Sequence, residues 1–248
     1  MHRSLASPLV LVAGTFGLLV AEALLARRGE GAAEPAESPS MVVGPELADP
    51  LVFVVLGDSA GAGVGAETQD QGYPRACARF LSGVTGRRVE LHVLAVSGAR
   101  VADLRRDQLP AVAALRPELV LLEIGGNDVV NLTPPWTARR NLAAVLDELA
   151  ATPARVVVSG IPDMTLPRVW EPLRSITSAM GRYYDGIWRD ETWERGMVRV
   201  ELAAETGKLF HADNSLFSED GFHPGPRGYA AWADAFERGI ERAFRPAR

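Results

Sequence analysis

The chain is poor in cysteine, lysine and histidine, and each shortage narrows its chemistry. A single cysteine, Cys77, in 248 residues excludes an internal disulfide and any cysteine-based zinc cluster. One lysine, Lys208, in a Lys+Arg total of 26 leaves arginine to carry nearly all the positive charge. With so much Ala and Gly, that bias reflects codon composition more than chemistry. Four histidines leave few candidates for an imidazole base. Positive charge is also in deficit, with a formal net charge of −5. That balance argues against a nucleic-acid surface, because phosphate binding needs clustered positive charge. A core is not lacking. Hydrophobic residues at 47% and charged residues at 23% exclude a disordered chain. The length suits one domain with a short appendage, burying its apolar surface without a disulfide or metal staple.

Long apolar runs are absent, with one exception. Leu9 to Ala21 is unbroken apolar or small residues, with Arg3 before it. Glu22 interrupts it, Ala23 to Ala26 continues it, and Arg27-Arg28 ends it. The run up to Ala21 has the length of a signal-peptide core, and Ala21-Glu22-Ala23 fits a small-x-small cleavage site. Counted through Ala26 it suffices for a tilted membrane anchor. Either way the chain is expected to be exported or membrane-anchored rather than cytoplasmic. A helix packed on the domain is disfavoured because the stretch has no polar face. Gly29 to Asp49 is rich in Gly, Ala, Glu, Pro and Ser with little periodicity. The expected organisation is therefore a leader or anchor over 1–26, a flexible linker over 27–49, and one domain over 50–248. There is no internal repeat.

The domain alternates strands with helices. Leu51 to Leu56 is a β-branched run suited to a strand buried on both faces. Val89–Val96, Glu118–Ile124, Arg155–Ser159 and Met197–Leu202 read as four more strands. Helices are expected over Pro74–Val84, Ala102–Leu115 and Thr137–Ala150, and from Pro226 onward. About five strands alternating with helices imply an α/β fold, a parallel sheet covered on both sides. Functional residues in such sheets gather at the carboxyl ends of the strands.

Four strand ends carry reactive groups. Gly57-Asp58-Ser59-Ala60-Gly61 follows the first strand, and Ser97-Gly98-Ala99 the second. Gly125-Gly126-Asn127-Asp128 follows the third, and Asp220-Gly221-Phe222-His223-Pro224 lies beyond the fifth. Together they supply the parts for acyl transfer through a tetrahedral intermediate. The Ser59 hydroxyl is a weak nucleophile near neutral pH and needs a base in contact, for which His223 is suited. Asp220, three residues earlier, can reach back to Nδ1 and fix the tautomer. Gly98 lets backbone approach an oxyanion without a Cβ in the way. The Asn127 amide and the Ser59 backbone N–H are further donors to that oxygen.

At these residues the chain resembles the SGNH hydrolases, the GDSL-type esterases and lipases. The family's Ser, Gly, Asn and His blocks correspond to Ser59, Gly98, Asn127 and His223, in the family's order. The resemblance covers residues 51–244. Ala60 stands where the name motif has Leu, and the second block lacks the Asn often found upstream of its Gly. The resemblance implies a flavodoxin-like three-layer α/β/α sandwich. It implies hydrolysis of carboxylic esters through a Ser-His-Asp triad and an acyl-enzyme, with no metal or other cofactor. A small-molecule, lipid or glycan ester is the expected partner.

Two rival readings come from other classes. Gly61-Ala-Gly63-Val-Gly65-Ala66 fits a dinucleotide fingerprint after a strand, hence an NAD(P)-binding domain. The acidic residue such a domain needs after its second strand is missing, since Ala95, Val96 and Ser97 stand there. A membrane-tethered, non-catalytic protein binding lipid or glycan is the other. Among the histidines, His211 is a rival base, with Asp213 two residues on. Asp58 and Asp128 read as braces of their turns, and Cys77 as a small core residue. The aromatics Trp170, Tyr183, Tyr184, Trp188 and Trp193 are candidates either for one wall of an acyl pocket or for helix packing.

Overall fold

The computed structural model describes residues 32–245. The leader or anchor expected over 1–26 lies outside the described residues. Among the described residues no helix is long and apolar enough to cross a membrane.

Six strands form one sheet: β1 (Met41–Val43), β2 (Pro50–Gly57), β3 (Arg88–Val93), β4 (Leu119–Glu123), β5 (Arg155–Ser159) and β6 (Val198–Val200). Their order is β1-β3-β2-β4-β5-β6. All neighbours are parallel except β1, which runs antiparallel to β3 with Met41 opposite Leu91. Taken alone, the parallel strands are the five expected, and their order is that of flavodoxin-like sheets.

Side chains alternate between two apolar layers, as strand geometry requires. Leu51, Phe53 and Val55 of β2, with Leu119 and Leu121 of β4, pack under α1 (Tyr73–Thr85) and α8 (Pro226–Phe244). Tyr229, Trp232, Ala233 and Phe236 of α8 all face that layer. Val54 and Leu56, with Val120 and Leu122, face the opposite layer. There they meet α2 (Val101–Asp107), α3 (Leu109–Leu115), α5 (Pro135–Ala150) and α6 (Leu173–Glu194). A short α4 (Gly126–Val130) follows β4, and α7 (Leu202–Ala212) follows β6.

Three details depart from the expected outline. The single helix expected over 102–115 is two, broken at Gln108. Pro110 lies in the first turn of α3, where its missing N–H costs no hydrogen bond, whereas mid-helix it would. β3 ends at Val93, three residues earlier than expected, although the Leu94 and Val96 amides still donate to Val55 O at 2.9 Å and Gly57 O at 3.2 Å. The third departure is β1, which lies within the stretch expected to be a flexible linker. Its Met-Val-Val triplet is short, but it completes the edge of β3. The residues before it are also tied down. Ser40 Oγ accepts from the Val93 amide at 3.0 Å, Ser38 O accepts from Arg75 at 2.7 Å, and Ala33 O accepts from the Gly65 amide at 3.2 Å.

The order of the sheet reverses between β2 and β4, because β2 crosses over to β3 on one side and β4 to β5 on the other. A crevice opens at the carboxyl ends of strands at such a point. Asp58 and Ser59 leave β2 there, and Gly125 to Asp128 leave β4 there.

Candidate active site

The end of β2 is clamped from outside the sheet. The Gly57 amide donates to Gln108 Oε1 at 3.0 Å, and Gln108 Nε2 donates to Gly57 O at 2.7 Å. This buried side-chain amide, at the break between α2 and α3, does the work of a neighbouring strand. The chain then turns: the Ala62 amide bonds Asp58 O at 3.1 Å and the Val64 amide bonds Ser59 O at 2.9 Å. No α-helix begins at Ser59, so it is not a helix cap. Its side chain is buried at the base of the crevice.

His223 reaches it from the loop between α7 and α8. That loop is closed by a bridge between Phe217 and Pro224 and by the Ser218 amide on His223 O at 2.8 Å. His223 Nε2 lies 2.8 Å from Ser59 Oγ, and His223 Nδ1 lies 2.6 Å from Asp220 Oδ2. Gly65 makes the approach possible. It has φ +94, and a Cβ there would come within 2.5 Å of Pro224 O and 3.2 Å of His223 Cβ. The space over the glycines of the supposed dinucleotide fingerprint is filled, by Ala95 and Tyr73 at Gly61, by the Gln69 side chain at Gly63 and by the histidine loop at Gly65, and forms no cradle for a phosphate.

Asp220 is strongly bound. Its Oδ1 accepts from Ser218 Oγ at 2.7 Å, the Phe222 amide at 2.8 Å and the His223 amide at 3.0 Å. Its Oδ2 also accepts from the Ala32 amide at 3.2 Å. Burial works to raise the carboxyl, but the hydrogen bonds from His223, the Phe222 amide and Ser218 prevail and hold it well below the usual carboxylate range. It is a fixed anion facing Nδ1.

Asn127 stands at the amino end of α4. Its Nδ2 donates to Asp58 Oδ2 at 3.2 Å and to Ala99 O at 3.1 Å. Ala99 follows Gly98 in the turn after β3. The amides of Ser59 and Gly98 donate no hydrogen bond among the described residues. Gly98 is exposed, has φ +81, and sits beside the crevice rather than lining it. Asp58 is buried, and desolvation pushes its carboxyl up to about 6 against the Ala60 amide and His223. Asp128 is a brace, its Oδ2 accepting from the Val101 amide at the start of α2, at 3.0 Å.

The crevice holds a pocket of about 50 Å³ next to Ser59, Asn127 and His223. Its apolar wall comes from Met164, Leu166, Phe210, Phe217, Phe222 and Trp232. The aromatics considered for that wall lie elsewhere. Tyr184 and Trp188 are core residues, Trp188 Nε1 donating to Ile124 O at 3.0 Å, while Trp170, Tyr183 and Trp193 are exposed. They belong to a 22-residue helix, α6, and the loop before it, whose inward face meets α5 and β4 rather than the crevice. His211 pairs with Asp163 at 3.2 Å, not with Asp213, and makes no contact with Ser59. Cys77 is buried in the core.

Gln108, Ser218 and Glu123 were not singled out from sequence. Glu123 alone had a signal, a carboxylate at the end of an otherwise apolar strand.

Comparison with known proteins adds an independent line. Residues 55–231 match the model of the GDSL-like Lipase/Acylhydrolase family. A GDSL-like esterase of Mycobacterium tuberculosis is 28% identical over 73% of this chain. The chain spans 59% of that relative's length. Esterase TesA of Pseudomonas aeruginosa is 29% identical over 69% of this chain and 79% of its own. Among solved structures, one of TesA superposes with a TM-score of 0.65 at 21% identity, covering 78% of this chain and 99% of that one. An acetyl xylan esterase superposes with a TM-score of 0.63 at 19% identity, covering 77% of this chain and 100% of that one. These superpositions describe a shared fold.

Proposed function

The chain belongs to the GDSL-like Lipase/Acylhydrolase family, and from that premise we propose that it hydrolyses carboxylic esters with Ser59 as nucleophile. The observation that carries this is the hydrogen-bonded line from Ser59 through His223 to Asp220, at the base of a crevice with an apolar pocket beside it.

The chemistry follows from the distances. His223 Nε2 takes the Ser59 proton as Oγ attacks the ester carbonyl carbon. The imidazolium that forms is stabilised by the Asp220 anion, which also keeps Nδ1 protonated beforehand. Charge accumulates on the former carbonyl oxygen. The Ser59 and Gly98 amides, which donate to nothing among the described residues, serve as donors to it in this reading, and Asn127 supplies a third. One Asn127 N–H stays on Asp58, while the other turns from Ala99 O to the oxyanion. Collapse expels the alcohol, protonated by His223, and leaves an acyl group on Ser59. Water attacks that ester by the same route in reverse. Met164, Leu166, Phe217 and Phe222 suit the acyl portion, and the alcohol faces the open mouth.

Ser59→Ala tests the reading. It should abolish ester turnover and labelling by a fluorophosphonate while circular dichroism is unchanged. Turnover above a few per cent would remove Ser59 from the mechanism. A panel of esters of increasing acyl length then measures what the pocket accepts. The same labelling experiment separates the enzyme from a non-catalytic binding protein.

A further inference from the structure

Glu123 closes β4, and the mechanism above leaves it without a task. Alternation along the strand places it on the face of Leu119 and Leu121, beneath α1 and α8. It is 3% exposed. Across the β2–β4 ladder it stands opposite Gly57. A side chain at Gly57 would not fit, since its Cβ would lie 2.3 Å from Glu123 O and 3.7 Å from Glu123 Oε2. The next residue is Asp58, whose carboxyl lies beside that of Glu123: the two line the same pocket, and Asp58 helps to raise the Glu123 carboxyl.

Two buried carboxyl groups in contact cannot both be charged, so one retains a proton. The donors around them decide which. Asp58 accepts from the Ala60 amide and from Asn127 Nδ2, each at 3.2 Å. Glu123 Oε2 has no hydrogen-bond partner among the described residues. Negative charge rests where N–H groups point to it, on Asp58. That leaves the proton to Glu123.

We propose that Glu123 is a positioning residue: as a neutral acid it donates to Asp58, and through Asp58 it holds the Asn127 amide in place for the oxyanion. The inference rests on the serine-hydrolase reading above. Burial, with the charge of Asp58 added, raises the Glu123 carboxyl well above its usual range, in keeping with a retained proton. Other groups face the pair. His223 and Asp128 act on Asp58, and the phenols of Tyr73 in α1 and Tyr229 in α8 lie within electrostatic reach of both carboxyls, with the Tyr229 hydroxyl donating to Val64 O. Burial, then the two acids, pushes both phenols well above their usual range, so they stay neutral.

The test compares kcat and KM of Glu123→Gln, Glu123→Leu, Asn127→Ala and the Glu123→Leu/Asn127→Ala double variant. Glu123→Gln still donates an N–H to Asp58 and should keep kcat within about threefold of the parent. Glu123→Leu should lower kcat about 100-fold at near-constant KM. The double variant should lose no more than Asn127→Ala alone, because both changes disable one device. The parent should also lose kcat as pH rises through the ionisation of Glu123, and Glu123→Gln should lack that loss. Full kcat in Glu123→Leu, a change in KM alone, or losses that multiply in the double variant would each overturn the proposal. If Glu123→Leu does not fold, the pH profile of Glu123→Gln decides: persistence of that loss overturns the proposal. Ser59→Ala run in parallel keeps the two readings apart. Activity retained there removes the serine mechanism. An inactive Ser59→Ala beside a fully active Glu123→Leu removes only the role of Glu123.

Discussion

Asp220 holds His223 at two points, the ring through Oδ2 at 2.6 Å and the backbone amide through Oδ1 at 3.0 Å. One carboxylate therefore orients the imidazole and shapes the turn that presents it. Asp220→Ala should lower both activity and melting temperature, while still costing less activity than His223→Ala. The pH dependence of stability has a definite sign. The unfolded carboxyl titrates near about 3.9, and folding holds it lower. Its stabilisation is thus present above the unfolded value and is lost as pH falls through the folded one. Melting temperatures on an acid titration should fall more steeply for the parent than for Asp220→Asn. Parallel curves would refute this.

The base is expected to be His223 and not His211. His211 pairs with Asp163 near the end of α7 and is half exposed. His223→Ala should remove nearly all turnover, and His211→Ala should leave kcat close to the parent. Equal losses in a side-by-side assay would mean that the wrong imidazole has been assigned.

Asn127→Ala should reduce kcat about 100- to 1,000-fold, roughly 3–4 kcal/mol of transition-state stabilisation. KM should barely move, because the amide gains most from a full negative charge and little from a neutral ester. Asn127→Asp should be at least as damaging, setting an acceptor beside Asp58 and the oxyanion. Steady-state kinetics that show a raised KM with kcat spared would make Asn127 a ground-state contact instead.

Residues 1–26 are expected to carry the chain to or across a membrane. Deleting them should give a soluble, active protein. Recovery of the full chain wholly in the cytosolic fraction would refute the targeting role.

What could be read in advance follows from how many residues carry each signal. The parallel strands are β-branched runs, so Leu51–Leu56 and Arg155–Ser159 announce themselves. The four reactive blocks were legible because glycine, serine, asparagine and histidine cluster at strand ends that the fold brings to one rim. Gln108 was not legible: a lone polar residue in a helical stretch shows its partner only once the helix breaks beside Gly57. The pocket wall escaped for a different reason. Trp170 to Trp193 is rich in aromatics, but which side of a helix meets the crevice is decided by packing on α5, not by composition. β1 was missed because three apolar residues give no measurable alternation.

The hydrogen bond from the Ala32 amide to Asp220 gives the point at which the protein begins a meaning for turnover. A leader removed near Ala23 leaves this contact intact, together with the Ala33, Ser38 and Ser40 contacts that lead from it to β1. A protease cutting a few residues further on would strip a donor from Asp220 without touching the sheet. A chain begun at Pro50 would lose β1 as well and bare the β3 edge to pairing with other molecules. The stretch before β1 thus bears on Asp220 through a main-chain N–H as well as on the sheet.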